Sequence, residues 1–231
     1  VLHRTQNAGA AAARNAGLAI ARGELIAFLD DDDFWLVQKL EKQVSALLKA
    51  PASVAWCLCG YINIEAERAR YFGGEYFWNQ LDYRRGIGPG GPQWWLIATP
   101  GWLVRRETIK RAGLFDERIR SWDDWELGLR LSQICDRVFV DQPLYVQDHI
   151  QGSGLMRAER ARANDLRLIL EKHGALWADD RRVMARHWYA IGRAESLHDP
   201  APAGRKELLR SLRLNPLKPL TWAGVALSYM G

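Results

Sequence analysis

ELIAFLDDDDFW, residues 24–35, runs an apolar segment directly into four consecutive aspartates and then two large aromatics. Four like charges in a row repel one another, and such a block is usually a solvated turn or an acidic tail. Its neighbours argue for something else. Ile26, Ala27, Phe28 and Leu29 form a short uninterrupted apolar run after Gly23, the pattern of a strand buried on both faces in a parallel sheet. The acids then stand at the carboxyl end of that strand, where open α/β sheets place their ligand crevice. A hard divalent cation such as Mg²⁺ would stabilise carboxylates gathered there. The alternative is an acidic helix start favoured by the helix dipole, with Asp33 as the N-cap of the helix that follows.

Upstream, AGAAAARNAGLAIARG is Ala-rich and reads as a helix that stops near Gly23. Downstream, Leu36, Leu40, Val44, Leu47 and Leu48 fall at spacings of three and four, which predicts an amphipathic helix ended by Pro51. Residues 52–64 read as the next strand region. Residues 73–92 are rich in glycine and poor in aliphatics, the composition of a long loop that closes over a substrate, with Trp94 and Trp95 beyond it. Order returns at WLVRRETIKRAGLF, a strand and a short helix closed by Gly113, and SWDDWELGLRLSQ is a helix that opens on acids. RVFV and LYVQ read as two short strands. From about residue 155 only helices are expected, over 157–173, 178–198, 203–213 and 217–229. The pair around AIGRAESL and GRKELLRSLRLNP is similar to a tetratricopeptide unit.

The chain has 231 residues, 48% hydrophobic and 26% charged, which suits an ordinary globular protein with a sizeable core. Its net charge of +5 is modest and its basic residues follow no nucleic-acid motif, so no nucleic-acid partner is expected. Cys57, Cys59 and Cys135 supply neither an even disulfide set nor zinc spacing, so a reducing, cytoplasmic setting is the expectation. The longest apolar stretch, SVAWCLCGYINI, is far shorter than the ~20 residues of a membrane helix and reads as a core strand. No transmembrane segment is expected; peripheral association with the inner face of a membrane stays open.

NAGAAAARNAGLAIARGELIAFLDDDDFW followed by LVRRETIKRAGLFDERIRSWDDWELGLRL resembles the family 2 glycosyltransferases over roughly residues 1–155. The resemblance implies an α/β A-type glycosyltransferase fold, a Rossmann-like sheet sandwiched by helices, over residues 1–155, with an all-α appendage over 156–231. It implies an inverting hexosyltransferase-type enzyme that moves a sugar from a nucleoside diphosphate sugar donor to a hydroxyl of a glycan or lipid-linked acceptor. The D-x-D metal site would be Asp30 and Asp32, holding Mg²⁺ or Mn²⁺, with His149 as a further metal or diphosphate contact. Asp31 replaces the small residue more often found there, and either contacts the donor's ribose side or faces solvent. Arg14 and Asn15 match the Arg-Asn of the helix flanking the donor, where the guanidinium would reach phosphate or brace the aspartates. The acidic pair after the Gly-Leu-Phe-Asp-Glu turn is Asp123 and Asp124 in place of the usual Glu-Asp. Asp124 would be the general base, and Asp123 a supporting or acceptor-binding acid. Trp102 and Trp122 would border the acceptor, and Trp125 would lie in the core.

The chain departs from the family at its start. The Pro-Thr-Tyr-Asn-like turn and the Asp-Asp-Gly-Ser-like motif that holds the nucleotide base are missing, and VLHR corresponds to the family's third strand. The expectation is an N-terminally incomplete domain, as a fragment or with a rearranged sheet. Two other readings remain at this point. A haloacid-dehalogenase-like phosphatase also sets D-x-D after a strand, and a truncated, non-enzymatic transferase would act as a binding module through its helical tail.

Overall fold

The computed structural model describes residues 7–65, 68–73, 98–148, 159–196, 203–217 and 219–230. The contacts divide the chain into two units. Of the described residues, the first unit holds those up to 73, 98–117 and 123–148, and the second holds 118–122 and everything from 159 on.

The first unit is built on a mixed sheet. Its strands are β1 (Leu25–Ala27), β2 (Asp33–Trp35), β3 (Val54–Glu65), β4 (Arg68–Phe72), β5 (Leu103–Arg105) and β6 (Asp136–Asp148). Their order is β1-β5-β3-β6-β2, with β4 paired to β3 off this path. The central pair, β3 and β6, is parallel, and every other pairing is antiparallel. The strand before the aspartates is therefore not the parallel strand its apolar run predicts. It lies at one end of the path against β5, with Ile26 opposite Val104, and Leu29 beyond it is exposed.

β1 and β2 are close in sequence yet stand at opposite ends of the sheet path. In a flat sheet four strand spacings would separate them by ~19 Å. The connection contains a turn, with the Asp33 N–H donating to the Asp30 carbonyl at 3.2 Å, so it is too short for that span. The sheet must curl to bring its two ends together, and Asp30, Asp31 and Asp32 lie on the connection, with Asp33 the first residue of β2.

Asp33 does not cap a helix. It opens β2 opposite Gln147, and α2 (Lys39–Lys49) begins later with Gln38 at its N-cap. The buried stripe of α2 is Lys39, Gln43 and Leu47, while Leu40 and Leu48 face solvent. RVFV and LYVQ also merge into one strand, β6. Between Cys59↔Val140 and Gly60↔Pro143 the register slips, so Asp141 and Gln142 bulge out and Pro143 sits where no ladder hydrogen bond is demanded of it. The Tyr71 hydroxyl donates to the bulged Asp141 at 2.7 Å.

Helix α1 (Ala10–Ile20) precedes β1, and α3 (Arg106–Ala112) ends at Gly113, whose φ of +86° favours glycine. Helix α4 (Asp123–Ile134) opens on acids, as expected. Under the aspartate turn, Phe28 meets Trp102 and Phe115 edge to face, and Trp102 packs on Trp56 at 4.8 Å. Cys57 and Cys59 are free and buried, and burial pushes both thiols up to about 12.

The second unit contains α5 (Glu159–His173), a 3-10 turn (Gly174–Trp177), α6 (Arg181–Ser196), α7 (Arg205–Leu214) and α8 (Pro219–Met230). Helix α6 crosses α7 at glycine: a Cβ on Gly192 would fall 2.7 Å from the Gly204 carbonyl oxygen. Arg167 joins Glu195 of α6 to Glu207 of α7 at 2.6 and 2.9 Å, and Trp177 stacks on His187 at 4.4 Å.

Candidate active site

Arg14 organises the acids. It projects from α1, largely buried, with Nη2 donating to Asp30 Oδ1 at 2.8 Å and Oδ2 at 3.1 Å, and Nη1 donating to Asp123 Oδ2 at 2.8 Å. One guanidinium thus ties the turn after β1 to the first residue of α4, and its own face lies over the Phe115 ring, 5.6 Å from its centre. Burial disfavours the guanidinium charge, but the carboxylates around it hold its pKa above the ordinary arginine value. A planar fork with two usable edges suits this role better than a lysine point charge.

The four aspartates divide by environment. Asp30 is neutralised by Arg14. Asp31 and Asp32 are exposed, with no side-chain hydrogen bond or ion pair among the described residues. Asp33 is buried, and burial together with the charges of Asp30 and Asp32 raises its carboxyl to about 7. Charge therefore remains in surplus on this turn. No three His, Cys, Asp or Glu side chains converge as a metal cage among the described residues. The turn does fit a hard cation held by one or two carboxylates plus phosphate oxygens, the usual arrangement for Mg²⁺ and Mn²⁺ beside a diphosphate. His149 lies outside the described residues.

At the start of α4, Asp123 is buried and Asp124 half-buried. Both carboxyls are raised by burial; the neighbouring carboxylate lifts Asp124 further, while Arg14 opposes the rise at both. Asp124 Oδ1 accepts the Trp125 N–H at 2.6 Å. The turn leading to α4 is braced from both sides. Asn15 Nδ2 donates to the Phe115 carbonyl and to Glu117 Oε1, and the Phe115 N–H donates back to Asn15 Oδ1, at 2.9–3.0 Å. Arg130, paired with the buried Glu126, donates to the carbonyls of Ala112 and Leu114 on either side of Gly113.

The structure gives the other expected residues these surroundings. Asn15, expected at the donor, has its amide occupied by Phe115 and Glu117 and acts as a brace. Trp102, expected beside the acceptor, is fully buried in the aromatic core, and Trp122 is buried as well. Trp125 lies in the core as predicted. The long loop expected to close over the acceptor, with Trp94 and Trp95, falls almost wholly outside the described residues. Two residues went unread. Lys39, fully buried, donates to Gln43 Oε1 at 2.7 Å and sits over the Trp35 ring, and Gln43 Nε2 donates to the Gly101 carbonyl at 2.9 Å. Their spacing of four, continued by Leu47, is the only trace they leave in the sequence.

Residues 1–113, just under half of the chain, match the model of glycosyl transferase family 2. One relative, a UDP-Glc:α-D-GlcNAc-diphosphoundecaprenol β-1,3-glucosyltransferase of Escherichia coli, is 58% identical over 41 residues, 18% of this chain and 16% of that protein. The matches to curated relatives span between 14% and 52% of their lengths. Among solved structures, S. aureus TarS (residues 1–349) aligns with a TM-score of 0.52 and 12% identity over 98% of this chain and 70% of that one. The mannosyltransferase PcManGT from Pyrobaculum calidifontis, in complex with GDP-Man and Mn²⁺, aligns at 0.54 and 17% over 99% and 66%. The fold is that of the A-type glycosyltransferases.

Proposed function

We propose that the protein transfers a sugar, with inversion, from a nucleoside diphosphate sugar to a hydroxyl of a glycan or lipid-linked acceptor. Residues 1–155 form the transferase domain and 156–231 a helical extension. The observation that carries the reading is Arg14: it gathers Asp30 and Asp123, from segments far apart in sequence, into one acidic site. The mannosyltransferase solved with GDP-Man and Mn²⁺ and the lipid-linked acceptor named for the E. coli relative support the same substrate classes.

Asp124 takes the proton from the acceptor hydroxyl as that oxygen attacks the anomeric carbon. Its raised proton affinity makes it a stronger base than an ordinary carboxylate. Asp123, fixed by Arg14, keeps the start of α4 in place. Asp30 and the exposed Asp32 would hold a divalent cation, with His149 as a further ligand. When bound, such a cation supplies positive charge that offsets the negative charge growing on the departing diphosphate. Arg14 holds Asp30 in position for this, and Asp31 faces solvent beside the donor.

Calorimetric titration with uridine, guanosine, thymidine and cytidine diphosphates, with and without Mn²⁺ or Mg²⁺, tests the proposal. Metal-dependent binding of one nucleotide, lost in Asp30→Asn/Asp32→Asn, is the expected result. A folded chain that binds none of them would overturn it.

A further inference from the structure

Residues 156–231 contain 14 of the 32 Lys and Arg but only 8 of the 27 Asp and Glu, so the net positive charge of the chain resides in this C-terminal stretch. Part of that charge is gathered at one end of the α6–α7 pair. The Arg181 guanidinium, at the start of α6, donates to the carbonyl of Arg213 in the last turn of α7 at 3.1 Å. Arg181, Arg182, Arg210 and Arg213 are all exposed, and Arg210 lies over the Trp188 ring at 4.1 Å. Among the described residues the acids beside the start of α6 are Asp179 and Asp180, and Asp180 already accepts the N–H groups of Arg182 and Val183. Four exposed arginines therefore outnumber two carboxylates, one of which caps its own helix.

The chain after Arg213 adds a feature of another kind. Leu217 is 89% exposed and Trp222 57%. The Trp222 indole N–H donates to the Pro216 carbonyl at 2.8 Å, which pins the ring beside the α7–α8 turn with its polar atom satisfied. An indole and a leucine held at the surface next to arginines match what the headgroup zone of an anionic bilayer accepts: basic side chains on lipid phosphates, with apolar side chains just beneath. A nucleic acid would use the arginines, but offers no apolar layer for Leu217.

We infer that the end of the helical unit formed by Arg181, Arg182, Arg210, Arg213, Leu217 and Trp222 docks on the surface of an anionic phospholipid membrane. No described helix is long and apolar enough to cross a bilayer, so the contact is interfacial.

The test is co-sedimentation of the whole chain with vesicles of phosphatidylcholine alone and of phosphatidylcholine mixed with phosphatidylglycerol. Retention is expected only on the mixed vesicles. Arg181→Gln/Arg213→Gln should weaken it about fivefold for each charge removed, and Leu217→Ser should weaken it further with no charge altered. Circular dichroism of both variants checks that the helices persist, and the positions are exposed enough for that outcome. A single-stranded RNA is run beside the vesicles. No retention, equal retention on both vesicles, or RNA binding through the same arginines with Leu217→Ser silent would each overturn the inference. Because the vesicle readout involves no nucleotide, it stands or falls apart from the donor titration.

Discussion

Asp124 sits in the first turn of α4 beside a second carboxylate, and both burial and that neighbour make it hold its proton. The base form then appears only as the pH climbs above the ordinary carboxylate range. The rate of transfer should rise with pH through the neutral region instead of reaching its plateau near pH 5, and a pH profile of kcat/KM checks this. Asp124→Asn should cost ~10²–10⁴ in transfer rate while nucleotide affinity stays nearly unchanged; equal loss of both would remove Asp124 from the base role. Arg14→Leu strands the buried Asp123 carboxylate and should destabilise the fold by about 3 kcal/mol, read by denaturant titration, with Asp123→Asn in the same chain restoring part of the loss. Arg14 and the acids were legible as residues because their motif spacing marks them. The contacts of Asn15 and Trp102 were not legible, because their partners, Phe115 and Phe28, are set by packing, and packing leaves no mark on the neighbouring letters.

At the scale of elements, the helices were read well and the strands less so. Helices α3 and α4 carry their stop and start locally, in Gly113 and the acids at 123 and 124, whereas α1 ends at Ile20, capped by Ala21, ahead of the Gly23 expected to stop it. Strand partners are not local: a three-residue apolar strand looks the same whether it pairs parallel or antiparallel, so β1 was read as a parallel strand and proves antiparallel to β5. RVFV and LYVQ were read as two strands because the bulge that carries β6 past Pro143 is visible only once β3 is alongside. The polar face of α2 misled for a related reason, since Lys39 and Gln43 are buried by bonding to each other and to the backbone of Gly101. In the helical unit the α6–α7 crossing rests on Gly204, which has φ +74° and space for no Cβ: one placed there would lie 2.6 Å from Ser196 Oγ and closer still to the Gly192 carbonyl oxygen. Gly204→Ala should therefore lower stability by ~1–3 kcal/mol, through both crowding and strain, measurable as a fall in Tm.

For the molecule as a whole, His187 predicts how the helical unit meets acid. Burial lowers its pKa from 6.5 to about 3, so between those values the unfolded chain takes up a proton that the folded one refuses. Stability is then full above pH 6.5 and falls as the pH drops toward 3. His187→Phe should flatten this dependence, as followed by helical circular dichroism across that range. The curl that brings β1 and β2 together also sets an order in time. Synthesis releases the four aspartates early, but β1 waits for Leu103–Arg105 and β2 waits for Tyr145–Gln147 before either has a partner. While the ribosome is still translating the middle of the chain, the acidic turn is a tethered loop of mutually repelling charges, and it becomes a site only after both late strands have emerged.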